Sequence, residues 1–274
     1  MNTQSQTGER REMESTRSSQ VKGGIHSQKV ALVTASSRGI GLAMARRLAQ
    51  EGAHVVISSR KQENVDKAVK QLQSENLSVT GITCHAAKAE DRERLVNTAL
   101  QKYGGIDILV CNAGVNPHVG QILDSNEEHW KKLFDVNVIS TFLMVKLVVP
   151  HMKKRGSGSI VLISSIGAYF VYDTIGPYCV SKTALLALTK ALTPDLLAMN
   201  IRVNCVVPGL FKTEFSGVLW KEEKVNSRVM ALNRLRRMAD PAECAGIVSF
   251  LCSSDASFIS GENIVVAGGG LSRL

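Results

Sequence analysis

Short apolar runs and longer amphipathic stretches take turns along this chain. Val30-Ala-Leu-Val-Thr34, Val55-Val-Ile57, Val79 to Cys84, Ile106-Asp-Ile-Leu-Val-Cys111, Ile160 to Ile163, Ile201 to Val207 and Ile264-Val-Val266 are rich in β-branched residues and read as strands. Val30 to Val33 and Ile160 to Ile163 are apolar at every position, as strands covered on both faces are. Between the strands, Leu42 to Gln50 (closed by Gly52), Arg92 to Tyr103 and Trp130 to Val149 read as helices. Strand and helix in alternation imply right-handed βαβ units, so the expected fold is α/β, a doubly wound parallel sheet of about seven strands with helices on both faces. Sites in such sheets lie beyond the carboxyl ends of the strands.

The pattern fades at the ends. Residues 1 to about 27 are Ser, Thr, Gln, Gly, Arg and Glu with hardly an apolar side chain, too little to bury, and are expected to form a flexible polar tail. They lack the apolar core of a secretory signal, and Glu9, Glu12 and Glu14 argue against a mitochondrial presequence. Residues 28–270 are expected to form one domain. The last four, 271–274, include Ser272-Arg273-Leu274, which is close to the Ser-Lys-Leu address read by the peroxisomal import receptor; a peroxisomal location is expected, with the cytoplasm as alternative.

Composition excludes more than it identifies. With 274 residues, 44% of them hydrophobic, the chain can bury a sizeable core. No apolar run reaches the roughly 18 residues that span a bilayer, so no membrane span is expected. The six cysteines are scattered without a Cys-x-x-Cys pair, and read as reduced thiols with neither a disulfide framework nor a metal site. The net charge of +9 admits a polyanionic ligand, but the basic residues are dispersed and no nucleic-acid partner is expected.

Candidate chemistry gathers at three strand ends. Ser164 and Ser165 follow the fifth apolar run, Pro177 suits a first helical turn, and Tyr178 and Lys182 then share a face at i and i+4. An ammonium one turn from a phenol favours the phenolate, and such a tyrosine exchanges a proton with a carbonyl or alcohol oxygen. After the first strand, Thr34-Ala-Ser-Ser-Arg-Gly-Ile-Gly41 offers glycines and a helix N-terminus to a pyrophosphate. After the second, Ser58-Ser-Arg-Lys61 carries cations where a cofactor with a free ribose 2′-hydroxyl calls for an acid, which favours NADP(H) over NAD(H).

Thr34…Gly39-Ile-Gly41, Asn112-Ala-Gly114, Asn137, Ser165, Tyr178-x-x-x-Lys182 and Pro208-Gly209 resemble, in order and spacing, the motifs of the short-chain dehydrogenase/reductase family. The resemblance runs from residue 28 almost to the C-terminus and implies a Rossmann-like fold. It implies a catalytic set in which Tyr178 is the general acid, Lys182 depresses its pKa and binds the nicotinamide ribose, Ser165 orients the substrate oxygen and Asn137 positions a relaying water. It implies NADP(H) contacts from Thr34, Ser36, Arg38, Gly39, Ile40, Gly41, Ser59, Arg60, Lys61, His85, Asn112, Ala113, Gly114, Tyr178, Lys182, Pro208, Gly209, Leu210 and Thr213. Ser165, Phe170, Tyr172, Ile175 and Tyr178 are the implied substrate contacts, from a loop at 169–175, with the segment Phe215 to Met238, including Leu219 and Trp220, as a further wall.

Within the family the chain is most similar to NADP-dependent carbonyl and retinal reductases, so the expected substrates are aromatic ketones, α-dicarbonyls or retinal, and a homotetramer is expected. The alternatives are an alcohol or retinol dehydrogenase working oxidatively, or a weakly active NADP(H)-binding protein that acts through partners. Three departures from the family pattern stand out: Ala35 replaces its first glycine, Cys84-His-Ala-Ala87 replaces an acid beside the adenine, and Ala267 replaces an acid before the last glycines.

Overall fold

The computed structural model describes residues 24–217, 220 and 234–270. Of the sequence expectations, Leu219, most of the segment 218–233 and Ser272-Arg273-Leu274 lie outside the described residues, as do residues 1–23. Every predicted strand is present: β1 (Val30–Val33), β2 (His54–Ser59), β3 (Val79–Thr83), β4 (Ile108–Cys111), β5 (Gly158–Ile163), β6 (Ile201–Pro208) and β7 (Asn263–Val266). They form one parallel sheet in the order β3-β2-β1-β4-β5-β6-β7.

The pleat sorts each strand's side chains between two cores. Ala31 and Val33 of β1 point toward Met44, Leu48 and Val248; Val30 and Leu32 point toward Leu95, Leu109 and Val148. Helices α1 (Gly39–Gln50), α2 (Gln62–Ser74) and α7 (Ala242–Cys252) close the first core. Helices α3 (Ala89–Tyr103), α5 (Ser140–Arg155) and α6 (Gly176–Leu197) close the second. Full burial of a Leu or Met is worth about 1.5–3 kcal/mol. An exposed pair such as Lys131–Glu127, 2.6 Å apart, contributes at most about 0.5 kcal/mol. The two cores therefore decide the fold.

The helix expected over Trp130 to Val149 is longer and in three parts. Helix α4 (Glu127–Phe134) starts at a capping box between Asn126 and His129, and a π-helical turn, Asp135–Ile139, joins it to α5. By length and composition alone the stretch Glu127–Arg155 would cross a bilayer, which the sequence analysis did not anticipate. Here Met144, Val145, Val148 and Met152 bury its apolar side in the second core, as a core helix does.

Gly24 to Ser27, expected within the tail, form a turn in which His26 is buried. The His26 backbone N–H donates to the Glu51 carbonyl (2.9 Å), and its buried ring meets Ser249 Oγ at 2.9 Å, fastening the turn to α1 and α7.

The edge of the sheet away from the site is held by Asp107, just before β4. Its Oδ2 accepts from the Val30 N–H (2.8 Å) and from Arg155 Nη2 (2.9 Å), while Oδ1 accepts from Arg155 Nε (3.2 Å). Asp107 is 6% exposed. Asp107→Ala leaves a buried N–H without a partner, whereas Arg155 can turn to water, so the expected loss is about 2–3 kcal/mol. Urea unfolding measures it, and a loss below about 0.5 kcal/mol contradicts this reading.

Because β1 lies between β2 and β4, the chain leaves its carboxyl end in one direction and returns beside it from the other. That switch point is where a doubly wound sheet opens a crevice.

Candidate active site

The loops after β1 and β4 are tied together at the switch point. The Thr34 hydroxyl accepts from the backbone N–H groups of Asn112 (2.9 Å) and Ala113 (3.1 Å). Asn112 Nδ2 donates back to the carbonyls of Thr34 (3.1 Å) and Ala35 (2.9 Å). Ser36 is fully buried; its hydroxyl donates to the Val33 carbonyl (2.6 Å) and accepts from the Ser58 N–H (3.3 Å). Thr34 and Ser36, expected among the coenzyme contacts, thus use their hydroxyls internally and shape the turn.

The glycine turn is built for close approach. Gly39 has a φ of +58°, and a Cβ on Gly41 would lie 2.5 Å from Asn112 Nδ2 and 2.8 Å from the Ala35 carbonyl oxygen. Ala35 itself adopts a φ of +49°, a conformation that usually favours glycine, so its methyl is accommodated by backbone strain and points into solvent. Helix α1 begins at Arg38 with no side-chain cap and no acid in its first turn, leaving its N-terminal N–H groups and positive dipole end available to an anion.

Around this turn, Arg38 is exposed and paired with Glu214. Ser59 ends β2, and Arg60 and Lys61 follow it in the open, Lys61 lying 3.7 Å from Glu63. His85, just past β3, is anchored by its N–H to Asp91 Oδ2 (2.8 Å), and its Nδ1 is buried without a hydrogen-bond partner. On the far side, Gly209 follows β6 and lies so close to β7 that a Cβ would meet Ala267 at 2.7 Å. The Leu210 carbonyl accepts from the Ala239 N–H (2.9 Å), and the Thr213 methyl lies 3.4 Å from where a Gly39 Cβ would be.

The catalytic candidates converge beyond β4 and β5. Pro177 opens α6 as expected, and Tyr178 and Lys182 face the same way, with Lys182 Nζ 5.7 Å from the Tyr178 ring centre. The Ser165 hydroxyl accepts from the Gly167 N–H (3.2 Å) and works to lower the pKa of the Tyr178 phenol. Lys182 Nζ donates to the Ile163 carbonyl at the end of β5 (2.9 Å), and Ser164 Oγ donates to the Lys182 carbonyl (2.7 Å). A Cβ on Gly114 would lie 3.3 Å from Lys182 Nζ and 3.6 Å from Asn137 Oδ1, which brings the fourth member into the group.

Asn137 is fully buried in the π-helical turn. Its Oδ1 accepts from the Val115 N–H (2.8 Å), and its Nδ2 donates to the Val115 carbonyl (3.1 Å) and to Ser181 Oγ (2.9 Å). The side chain therefore clamps the loop after β4 to α6.

Electrostatics here depart from the expected lowering of the phenol's pKa. Burial pushes Tyr178 up to about 12, with Ser165 opposing it, and burial pushes Lys182 down to about 8. The amine is bonded to the Ile163 carbonyl, and desolvation of the phenol outweighs any help from it.

The substrate-side residues are partly assembled. Tyr172 lies over Gly167, 3.9 Å from where a Cβ would be, and Ile175 leads into α6. Phe170 is half-buried and follows Ser165 through a short 3₁₀ turn, Ile166–Ala168. Tyr169, by contrast, packs on the second core. The sequence reading missed Ser181, Glu214 and the ring contact of Phe215 with Tyr178 (6.0 Å between centres), all of which join segments far apart in the chain.

A doubly wound parallel sheet with this tyrosine, lysine and serine at its carboxyl edge defines a class of oxidoreductase, and the chain belongs to the short-chain dehydrogenase/reductase family. A family model described as enoyl-(acyl carrier protein) reductase matches residues 34–270. Among curated relatives, the chain is 62% identical over 246 residues to dehydrogenase/reductase SDR family member 4 of Oryctolagus cuniculus, covering 90% of this chain and 95% of that protein. The Homo sapiens member 4 is 61% identical, with 90% and 88% covered, and the Homo sapiens member 2, mitochondrial, is 54% identical, with 89% and 87% covered. A 7α-hydroxysteroid dehydrogenase solved with NADH and 7-oxo glycochenodeoxycholic acid superposes with a TM-score of 0.86 at 30% identity, over 90% of this chain and 95% of that one.

Proposed function

We propose that this oxidoreductase reduces lipophilic carbonyl compounds, aromatic ketones, α-dicarbonyls and retinal among them, to alcohols with NADPH. The observation that carries the reading is Tyr178 and Lys182, buried and facing the same way on α6, with Ser165 at the end of β5 acting on the phenol.

The residues present fit a dinucleotide. The uncapped α1 terminus and the Cβ-free cradle at Gly39 and Gly41 suit a pyrophosphate; Arg38, Ser59, Arg60 and Lys61 suit a 2′-phosphate, and no carboxylate from β2 faces them. His85 would stand at the adenine, Asn112, Ala113 and Gly114 along the ribose, and Pro208, Gly209, Leu210 and Thr213 at the nicotinamide end. The coenzyme would supply a hydride.

Tyr178 would give its proton to the carbonyl oxygen. Ser165 holds that oxygen, and the Lys182 ammonium favours the phenolate left behind. Asn137, its amide engaged with Val115 and Ser181, keeps the loop after β4 in register with Lys182. The same groups run the oxidation of an alcohol in reverse. A homotetramer and a peroxisomal address at Ser272-Arg273-Leu274 belong to the proposal through the family resemblance.

The pH dependence has a defined sign. Tyr178, pushed up to about 12, keeps its proton across the working range, while Lys182, pushed down to about 8, loses its charge first. Above that value no ammonium is present to stabilise the phenolate. The kcat/KM for reduction therefore falls as pH rises through about 8, well below the tyrosine's own titration. A profile flat to about pH 10 contradicts it.

The experiment that tests the function is a panel of aromatic ketones, α-dicarbonyls and retinal, assayed with NADPH and again with NADH. Turnover preferring NADPH is expected. Tight NADPH binding without oxidation across the panel would favour the non-catalytic alternative.

A further inference from the structure

Three consecutive residues after β6 lie across the site from end to end. The Thr213 methyl sits over Gly39, the Glu214 carboxylate pairs with Arg38, and the Phe215 ring packs on that of Tyr178. The segment is braced from behind: Ser216 Oγ donates to the Phe211 carbonyl (2.5 Å), and Trp220 Nε1 donates to the Thr213 carbonyl (3.0 Å). Glu214 thus places a negative charge against Arg38, the residue that precedes α1 and the one guanidinium in the glycine turn.

We infer that Glu214 is an internal competitor for the coenzyme, holding the anion site on Arg38 until a phosphate displaces it. The inference rests on the reading that Arg38 meets the 2′-phosphate of NADP(H). One guanidinium at the mouth of an open turn cannot keep both partners in the same place, and a carboxylate left beside a bound phosphate would be repelled. Arg38 and Glu214 are 64% and 71% exposed, so the pair is a weak one that a phosphate can replace. Its geometry couples two events, because the residue after Glu214 is the one that covers Tyr178. Displacing the carboxylate moves Phe215 from the phenol that a carbonyl must reach. Glu214 in this way sets coenzyme affinity and makes access to Tyr178 depend on coenzyme.

The test is Glu214→Gln, which removes the charge and keeps the shape, with NADPH and NADH dissociation constants measured by calorimetry at low and high salt. The variant is expected to bind NADPH about three- to fivefold more tightly at low salt, as loss of an exposed competing ion pair allows, with the gain vanishing at about 0.5 M salt. The gain with NADH should be smaller, since it lacks the 2′-phosphate. Unchanged or weaker NADPH binding by the variant overturns the inference. Wild-type protein that binds NADH as tightly as NADPH overturns the 2′-phosphate reading instead, before any variant is compared.

Discussion

Tyr178→Phe lowers kcat for carbonyl reduction by about 10²–10⁴-fold, the range a positioned general acid contributes. The substitution removes one oxygen and little else. The ring keeps its contacts with Phe215 and with Lys182, and Ser165 keeps the Gly167 N–H. Stability should change by no more than about 1 kcal/mol, since the hydroxyl's partner can rotate to another. NADPH affinity should stay within about threefold, because the cradle at Gly39 and Gly41 is built from a different segment. Rapid-mixing kinetics at saturating NADPH, paired with calorimetric binding, separates the outcomes. A variant that binds NADPH and reduces at the wild-type rate removes Tyr178 from the chemistry.

Gly41→Ala acts on the other half of the site, and two effects oppose one another. Alanine is favoured over glycine by about 1 kcal/mol within a helix, and Gly41 is the third residue of α1. Against that, the new methyl would lie 2.5 Å from Asn112 Nδ2 and 2.8 Å from the Ala35 carbonyl. Backbone cannot yield there without breaking the Asn112 bonds to Thr34 and Ala35 that join the two loops. Overpacking of this kind costs about 1–3 kcal/mol, so the clash wins. The expected outcome is a lower melting temperature and NADPH binding weakened by at least about tenfold, because the distortion falls where the pyrophosphate approaches. A stabilised variant with unaltered binding shows that the turn has room the geometry denies.

These two residues were legible for different reasons. Gly41 stood out because it closes a glycine-bearing turn after a continuously apolar strand, and Tyr178 because Lys182 follows at one helical turn. Both signals are local, as are those of the seven strands, whose apolar runs match the sheet closely. What the sequence concealed is contact between distant segments. Nothing near Asn137 announces that its amide will be used up by Val115 and Ser181, nor that a π-helical turn will interrupt its helix. Thr34 and Ser36 entered as coenzyme contacts through the family resemblance. Only the fold shows that they meet Asn112, Ala113, Val33 and Ser58 first. His26 read as tail for the converse reason: its partner Ser249 lies on α7, at the other end of the chain. A lowered pKa for the phenol was inferred from the lysine's spacing alone, and burial, which spacing does not report, raises it instead.

Direct hydride transfer from the coenzyme to a carbonyl carbon is read by following an isotope. Wild-type protein is given NADPH deuterated at the transferable C4 position together with an aromatic diketone, and the product is examined by mass spectrometry and NMR. One deuterium on the new carbinol carbon is expected. An alcohol product free of label would contradict it.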